Sequence, residues 1–299
     1  MTSTNLHAYM KDNCFCPLDK HLVNTVVSIN ETRLSRRLAS IALRLGGPDK
    51  KDTYYNYLLL PFILHDIGKA LEIYQKNILG YSYIYHEVFG AILSYRIIER
   101  SFLKMVEKEY IEPQDFKKLI VLVIYPILYH HYSMRSPKDP EVIERDLFGK
   151  KRYLFIETST LENLLYTLYK EVSKHGVVRY ARIRRWMLPD ILKDLTSEAR
   201  ELGSRIELAD VKRYLNEMYE NTLGALKSSE KDLIEIYLSI LTGLVNTADY
   251  LVASIERRVC EEGPRSGGKH GFVDYILSSE EISALEYRLV GESSICIQR

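Results

Sequence analysis

The sequence is poor in cysteine and has four such residues in a chain of 299: Cys14, Cys16, Cys260 and Cys296. In a chain of this size they do not indicate a disulfide framework, which is typical of small secreted domains. Cys14 and Cys16 are separated by a single residue, which is too close for the usual zinc knuckle. A zinc site of His7, Cys14, Cys16 and His21 is the alternative, and we disfavour it because His21 fits another cluster of ligand-type residues.

An excess of charge of either sign is also lacking, since 41 basic residues stand against 40 acidic ones and the net charge is +1. The chain is therefore not a polycation, and any affinity for nucleic acid has to come from a local patch. Residues 1–12 lack the apolar segment of a secretory signal, and no uninterrupted apolar run reaches the roughly 18 residues of a membrane span. We therefore expect a cytoplasmic protein.

What the sequence does have is helical periodicity, which predicts an all-α fold. The almost continuously apolar run at 117–132 is interpreted as a buried helix, because it exceeds the normal length of a strand. Gly46-Gly47-Pro48 is expected to end the first helix, and Pro61 to kink the second. The predicted helices cover 18–45, 53–66, 70–78, 85–105, 117–132, 161–172, 209–226, 230–258 and 280–288.

An adjacent histidine and aspartate, His65 and Asp66, end an apolar segment at 58–64. Burying both side chains is costly unless something pairs with them, and a divalent metal is a common partner. Gly68 is expected to let the backbone turn sharply just past them. The alternative is a core histidine beside an aspartate that caps the next turn, and for an isolated His-Asp pair this alternative is the more frequent one.

Five further ligand-type residues favour the metal interpretation. His21 lies in the first turn of the first predicted helix, and His86 in the opening turn of the helix predicted from residue 85. His130 and His131 follow the buried helix as a pair. Asp249 lies among Leu, Val and Ala on the helix predicted at 230–258, where a buried carboxylate needs a cation.

In this order the motifs resemble those of the HD superfamily of metal-dependent phosphohydrolases. Four motifs resemble in particular the HD nuclease of type I CRISPR systems: His65-Asp66-Ile67-Gly68-Lys69, His86-Glu87 before Gly90-Ala91, His130-His131, and Asn246–Ser254. The resemblance covers residues 18–135 and 230–258. It implies a single HD nuclease domain over 1–299, built as a helical bundle around a binuclear metal site. Residues 141–228 would be a partly helical insertion, and 259–299 a C-terminal tail.

The resemblance also implies two divalent metal ions and assigns their ligands. The first ion would be held by His21, His65, Asp66 and Asp249. The second would be held by His86, His130 and His131, with Asp66 as the bridge. Mixed imidazole and carboxylate donors suit Mn, Ni, Co or Fe, and Mg is a weaker fit. Lys69 either contacts the scissile phosphate or pairs with an acid.

The leading hypothesis from the resemblance is a nuclease, acting as endo- or exonuclease, that hydrolyses single-stranded DNA in CRISPR interference, with Asp66 and Lys69 as catalytic candidates. The chain contains no Gly-x-x-x-x-Gly-Lys-Ser/Thr loop, so a separate helicase and an RNA-guided effector complex would be its partners. One alternative is a phosphohydrolase acting on nucleotides or cyclic nucleotides. Another is a non-catalytic HD scaffold, against which the complete set of seven ligand-type residues argues.

A basic stretch at 174–186 is the candidate surface for the nucleic acid. Its guanidinium groups suit phosphates and its aromatic rings suit bases, as in proteins that bind single strands. The alternative is a solvated basic face whose tryptophan packs inward. The candidate nucleic-acid-binding residues are Arg179, Arg182, Arg184, Arg185 and Trp186.

Overall fold

In a computed structural model the chain is all-α with two small sheets, which confirms the predicted fold class. The structure describes residues 6–11, 14–76, 85–109, 112–131, 153–174, 187–200, 202, 205–222, 228–262, 277–292 and 296–298. Its helices are α1 (Leu18–Glu31), α2 (Leu34–Leu58), α3 (Leu60–Leu64), α4 (Glu72–Lys76), α5 (His86–Glu107), α6 (Phe116–Tyr129), α7 (Thr158–Lys174), α8 (Met187–Ala199), α9 (Leu208–Thr222), α10 (Ser228–Glu262) and α11 (Ser279–Glu292). Single 3-10 turns form at Ile67–Ala70 and Pro113–Asp115.

The predicted helices are confirmed in outline, but three breaks differ from the prediction. The helix expected at 18–45 stops at Thr32, whose backbone is extended and whose hydroxyl donates to the Ser28 carbonyl at 2.7 Å. Such side-chain bonds compete with helix continuation. Gly47 kinks α2 with a φ of 67°, rather than ending it. The next break is at Leu59, so Pro61 lies in the first turn of α3, where its missing N–H costs nothing.

Helices α1, α3, α5, α6 and α10 pack around one another and form the centre of the fold. Each presents an apolar face inward, as amphipathic helices do. Leu22, Phe62, Ile127 and Leu241 come from four of these helices and are completely buried. The apolar run predicted as a buried helix is α6, which confirms that interpretation. Every predicted ligand-type residue lies on one of these helices or directly at its end.

The described parts of 141–228 pack against the centre of the fold. Helix α7 packs on α1 and α8, helix α8 packs on α5, and α9 packs on α6. The Asn56 side chain of α2 accepts a hydrogen bond from the Leu188 backbone at 3.1 Å, which anchors the start of α8. Helix α8 is absent from the sequence prediction. The interpretation of this region as an insertion, and of 259–299 as a tail, stays a prediction.

Segments near the two ends of the chain pair in a small sheet, which one disulfide ties to α10. Strands β1 (His7–Lys11) and β2 (Cys14–Pro17) pair antiparallel, and β5 (Ile297–Gln298) adds to β2. Cys14 is bonded to Cys260 and Cys16 to Cys296. The prediction that the four cysteines form no disulfide framework is therefore wrong. Alternation along β2 places Cys14 and Cys16 on one face, and their partners lie 246 and 280 residues away.

The strands of a second small sheet come before α7 and before α9 in the chain. Strands β3 (Tyr153–Phe155) and β4 (Arg205–Glu207) form an antiparallel ribbon. By length and composition alone, 232–260 of α10 could cross a membrane, but half of its most apolar stretch is buried inside the fold. The core helix of a globular protein has the same properties, so this is weak evidence for a span.

Candidate metal centre

His65 and Asp66 follow the C-terminal end of α3 and are completely buried. The first turn of α1 brings His21 to them, and the middle of α10 brings Asp249. The His21 Nε2 atom lies 3.3 Å from Asp66 Oδ2 and 3.2 Å from Asp249 Oδ1. The His65 Nε2 atom lies 3.5 and 3.6 Å from the same two oxygens. These four side chains form the first ligand group, and its donor atoms all lie within 4.8 Å of one another.

Asp66 also belongs to a second ligand group, through its other oxygen. Asp66 Oδ1 lies 2.9 Å from His86 Nε2 and 3.6 Å from His130 Nε2. His131 Nε2 lies 3.2 Å from His86 Nε2 and completes the group. Oδ2 thus faces the first group and Oδ1 the second. One carboxylate is shared by two clusters of potential ligands.

Two glycines let the chain segments that carry these groups cross closely. A Cβ atom on Gly68 would overlap the carbonyl oxygen of His86 and lie 2.6 Å from the Gly90 nitrogen. A Cβ atom on Gly90 would lie 3.1 Å from the His65 carbonyl oxygen. The reason for glycine at position 68 is therefore close packing against α5. The sharp turn expected from the sequence is not the reason, because Gly68 does not have a positive φ.

Three of the histidines are held with Nε2 directed into the centre. The Nδ1–H groups of His65 and His130 donate to the carbonyl oxygens of Phe62 and Ile127, at 2.9 and 2.6 Å. A carbonyl only accepts, so in the neutral ring the lone pair is on Nε2. The Nδ1 atom of His21 lies 2.9 Å from Oε2 of Glu256. Metal-binding histidines commonly have such partners, which fix the tautomer and orient the ring.

The unsatisfied atoms of the centre fit a cation. Among the described residues, Nε2 of His21, His65 and His130 and Oδ1 of Asp66 are buried and lack a hydrogen bond of acceptable geometry, although they lie close to one another. Orphaned polar atoms of this kind are rare and costly in a protein interior. A positive ion between the lone pairs and the carboxylates would satisfy all of them. Each of the two groups could therefore hold a metal ion.

The electrostatics of the site favour the metal-binding forms of most groups. Burial opposes a charge on Asp66, but the Lys69 ammonium and the surrounding histidines hold the pKa of that carboxyl well below its usual range. Burial and neighbouring histidines lower the pKa of His131 to about 2, so its ring is neutral. Burial also opposes a charge on His21, yet Glu256 and the two aspartates raise the pKa of His21 well above its usual value. A cation in the first group would displace that proton.

Three residues of the centre are partly exposed. Asp249, His131 and Lys69 are partly exposed, whereas the other ligand-type residues are buried. The Lys69 Nζ atom lies 2.5 Å from Asp66 Oδ2, which is the pairing with an acid that the sequence analysis left open. A substrate group would thus reach the site past Asp249, Lys69 and His131.

The structure brings together all seven predicted ligand-type residues and Lys69. The predicted nucleic-acid-binding residues lie outside the described residues, and they stay a prediction: Arg179, Arg182, Arg184, Arg185 and Trp186. Glu256 is a further residue of the centre that was not predicted from the sequence. This acid lies seven residues after Asp249 on the apolar face of α10 and is buried, so the helical spacing of a second acid was a usable signal.

Comparisons with models of known protein families, with curated proteins and with solved structures give no match for this chain. The structure itself supports a helical protein with a buried His/Asp cluster that could bind metal.

Proposed function

We propose that the chain is a metal-dependent phosphodiesterase of the HD type, acting as a nuclease on single-stranded DNA. The observation that carries the proposal is the sharing of Asp66: its two oxygens face two separate ligand groups. Two divalent ions bound there would activate a water and neutralise charge on a phosphate and its leaving oxygen. Mn, Ni, Co or Fe fit the donors best, since five of the seven ligands are imidazoles.

The protein's own residues have distinct tasks in this proposal. Asp66 holds both halves of the centre together, and the carbonyl-bound rings of His65 and His130 keep their Nε2 atoms in place. Lys69 is close enough to the rim to pass from Asp66 to a bound phosphate, where its ammonium would offset the phosphate charge. Asp249 and His131 are partly exposed, so the DNA strand would contact the centre at these residues.

The biological setting is proposed from the same motif order. A separate helicase would deliver a single strand, under the direction of an RNA-guided effector complex. The basic stretch at 174–186 is proposed to hold the strand.

The test is a cleavage assay with single- and double-stranded DNA and RNA across Mg, Mn, Ni and Co. The wild-type protein should cut single-stranded DNA only when metal is supplied, and Asp66→Ala should abolish both metal binding and cleavage. Asp194→Ala is the matched control, since Asp194 is also buried and ion-paired, to Lys108 at 2.6 Å, but lies outside the centre. Cleavage in metal-stripped buffer would refute the proposal. Faster turnover of mono- or cyclic nucleotides than of oligonucleotides would favour the nucleotide phosphohydrolase instead.

A further inference from the structure

The two disulfides lie next to each other, so that the four cysteines form one cluster. Cys14 and Cys16 come from β2, Cys260 from the end of α10, and Cys296 from the residue before β5. Sγ of Cys16 lies 3.8 Å from Sγ of Cys260, although these two are not bonded to each other. The Sγ atoms of Cys14, Cys260 and Cys296 all lie within 4.8 Å of one another. The two disulfides therefore lie side by side.

The distance between the neighbouring sulfurs of the two disulfides matches the coordination sphere of a single ion. With zinc–sulfur bonds of about 2.3 Å, the edge of a regular tetrahedron is about 3.8 Å. The Cys16–Cys260 separation has that length. Two independent disulfides would not need their sulfurs to converge in this way. Cys14, Cys16 and Cys296 are buried and Cys260 is partly buried, as expected for a closed structural site with four protein ligands.

We propose that, in the reduced protein, Cys14, Cys16, Cys260 and Cys296 bind one zinc ion as a tetrathiolate site, separate from the His/Asp centre. Two molecules of a dithiol reductant supply four electrons and four protons, which break both S–S bonds and give four thiols. Zinc then binds as the four thiol protons leave. The oxidised, disulfide form of the same reductant reverses both steps: two molecules of it take up four electrons and four protons, zinc is released and the two disulfides form again.

This inference rests in part on the proposed function, which places the protein with DNA inside a cell. Thiols are kept reduced there in most organisms, and clustered cysteines in an intracellular enzyme more often bind metal than form disulfides. Soft thiolate ligands in a tetrahedral arrangement select zinc over the harder cations that suit the His/Asp centre.

The site would hold the first ligand group in place. Cys260 follows Glu256 by one helical turn on α10, and Cys296 Sγ lies 3.6 Å from the Glu256 carbonyl oxygen. Cys16 comes just before α1, which carries His21 in its first turn. A zinc ion joining β2, α10 and the C-terminal end would therefore fasten together the helices that carry His21 and Glu256.

The experiment uses the full chain purified under anaerobic, reducing conditions. Asp66→Ala/Asp249→Ala removes the His/Asp centre and should still retain one zinc per chain. Cobalt added to the zinc-free wild type should give the intense sulfur-to-cobalt charge-transfer absorption of a thiolate site, which imidazole and carboxylate ligands cannot produce. Because this spectrum needs no variant, it stands even if the substituted chains fail to fold.

Two double variants distinguish a single four-cysteine metal site from two independent disulfides. Cys14→Ser/Cys260→Ser and Cys16→Ser/Cys296→Ser each remove one disulfide, and either should abolish the cobalt absorption. Reduced protein with four reactive thiols that gives no charge-transfer absorption would overturn the proposal. So would protein isolated from a reducing cytosol with both disulfides intact and no zinc, as in the disulfide-rich proteins of hyperthermophiles. None of these results depends on nuclease activity, so failure of the proposed function remains distinguishable.

Discussion

Removing the Glu256 carboxylate should weaken metal binding at the first ligand group selectively. Glu256 is 2% exposed and its Oε2 lies 2.9 Å from Nδ1 of His21. Without that acceptor the ring loses its fixed orientation, and Nε2 is no longer held toward Asp66 and Asp249. Loss of such a partner typically costs about 10- to 100-fold in metal affinity, or about 1.4 to 2.7 kcal/mol. Glu256→Ala should reach this range at one of two sites.

The conservative variant gives the graded result that a positioning role requires. Glu256→Gln keeps an oxygen acceptor but loses the charge, and a charge-assisted bond is roughly twice as strong as a neutral one. Its metal affinity should therefore lie between those of the wild type and Glu256→Ala. The assay is a titration of the metal-free protein with Mn²⁺ against a competing chelator, with thermal unfolding in excess chelator measured on the same samples.

Glu281→Gln is the matched control, because Glu281 is also a buried acid but pairs with Arg33 and with Ser278 at the start of α11. It should lower stability and leave metal affinity unchanged. Binding of two metal ions by Glu256→Ala with wild-type affinity would refute a positioning role for Glu256. A loss of stability alone would show that Glu256 only supports packing.

Three further predictions concern Gly68, Glu281 and the protons on His21 and His130. Gly68→Ala should remove metal binding from the second group, because its Cβ would push against the His86 carbonyl; metal stoichiometry should fall from two to one. Glu281, with its pKa lowered to about 2 from 4.5, should stabilise the fold fully above pH 4.5 and lose that contribution as pH falls toward 2. In Glu281→Gln, the free energy of unfolding should therefore depend less on pH between 4.5 and 2. Near neutral pH the variant should be less stable than the wild type by about 1 to 2 kcal/mol. Metal uptake should release protons from His21 and His130, whose pKa values are both raised, and weaken as pH falls, which calorimetry in buffers of different ionisation enthalpy measures.

The controls for these predictions come from the same chain. Gly243→Ala places a Cβ in open space on α10, so it should leave metal stoichiometry unchanged and stabilise the helix by roughly 0.5 to 1 kcal/mol. If Gly68→Ala still binds two ions, the close crossing does not position His86. If the free energy of unfolding falls in the same way at acid pH in Glu281→Gln and in the wild type, Glu281 is not the cause of that fall. A metal affinity that does not change between pH 6 and 8 would contradict a raised pKa for His21.

The sequence was sufficient for the helices and the ligand-type residues because both have local signals. The 3.6-residue period of apolar side chains defined α5, α6 and α10 to within a few residues. His65 and Asp66 drew attention as polar residues at the end of an apolar run. The breaks at Thr32 and Leu59 were missed because each depends on competition between nearly equal local conformations. A single hydroxyl decides it at Thr32, and a proline two residues later at Leu59.

Long-range pairings could not be predicted in the same way. The partners of Cys14 and Cys16 are at the other end of the chain, and no spacing rule connects them. Glu256 acts through His21, 235 residues away, so its role becomes visible only when α1 and α10 are packed together. Gly68 shows the same limit: the glycine was noticed, but its reason is contact with α5 and not its own backbone angles.

The two ligand groups differ in charge, and this difference bears on how the centre would fill. The first group combines Asp66 and Asp249 with two imidazoles and has Glu256 behind one of them. The second has only one oxygen of Asp66 and three imidazoles, and its ring nitrogens of His86 and His131 lie 3.2 Å apart. A divalent ion gains more from two carboxylates than from one, so the first group should bind the tighter ion. Once that ion neutralises part of the Asp66 charge, the second group depends mainly on its imidazoles, and its ion should be the softer and more easily exchanged of the two.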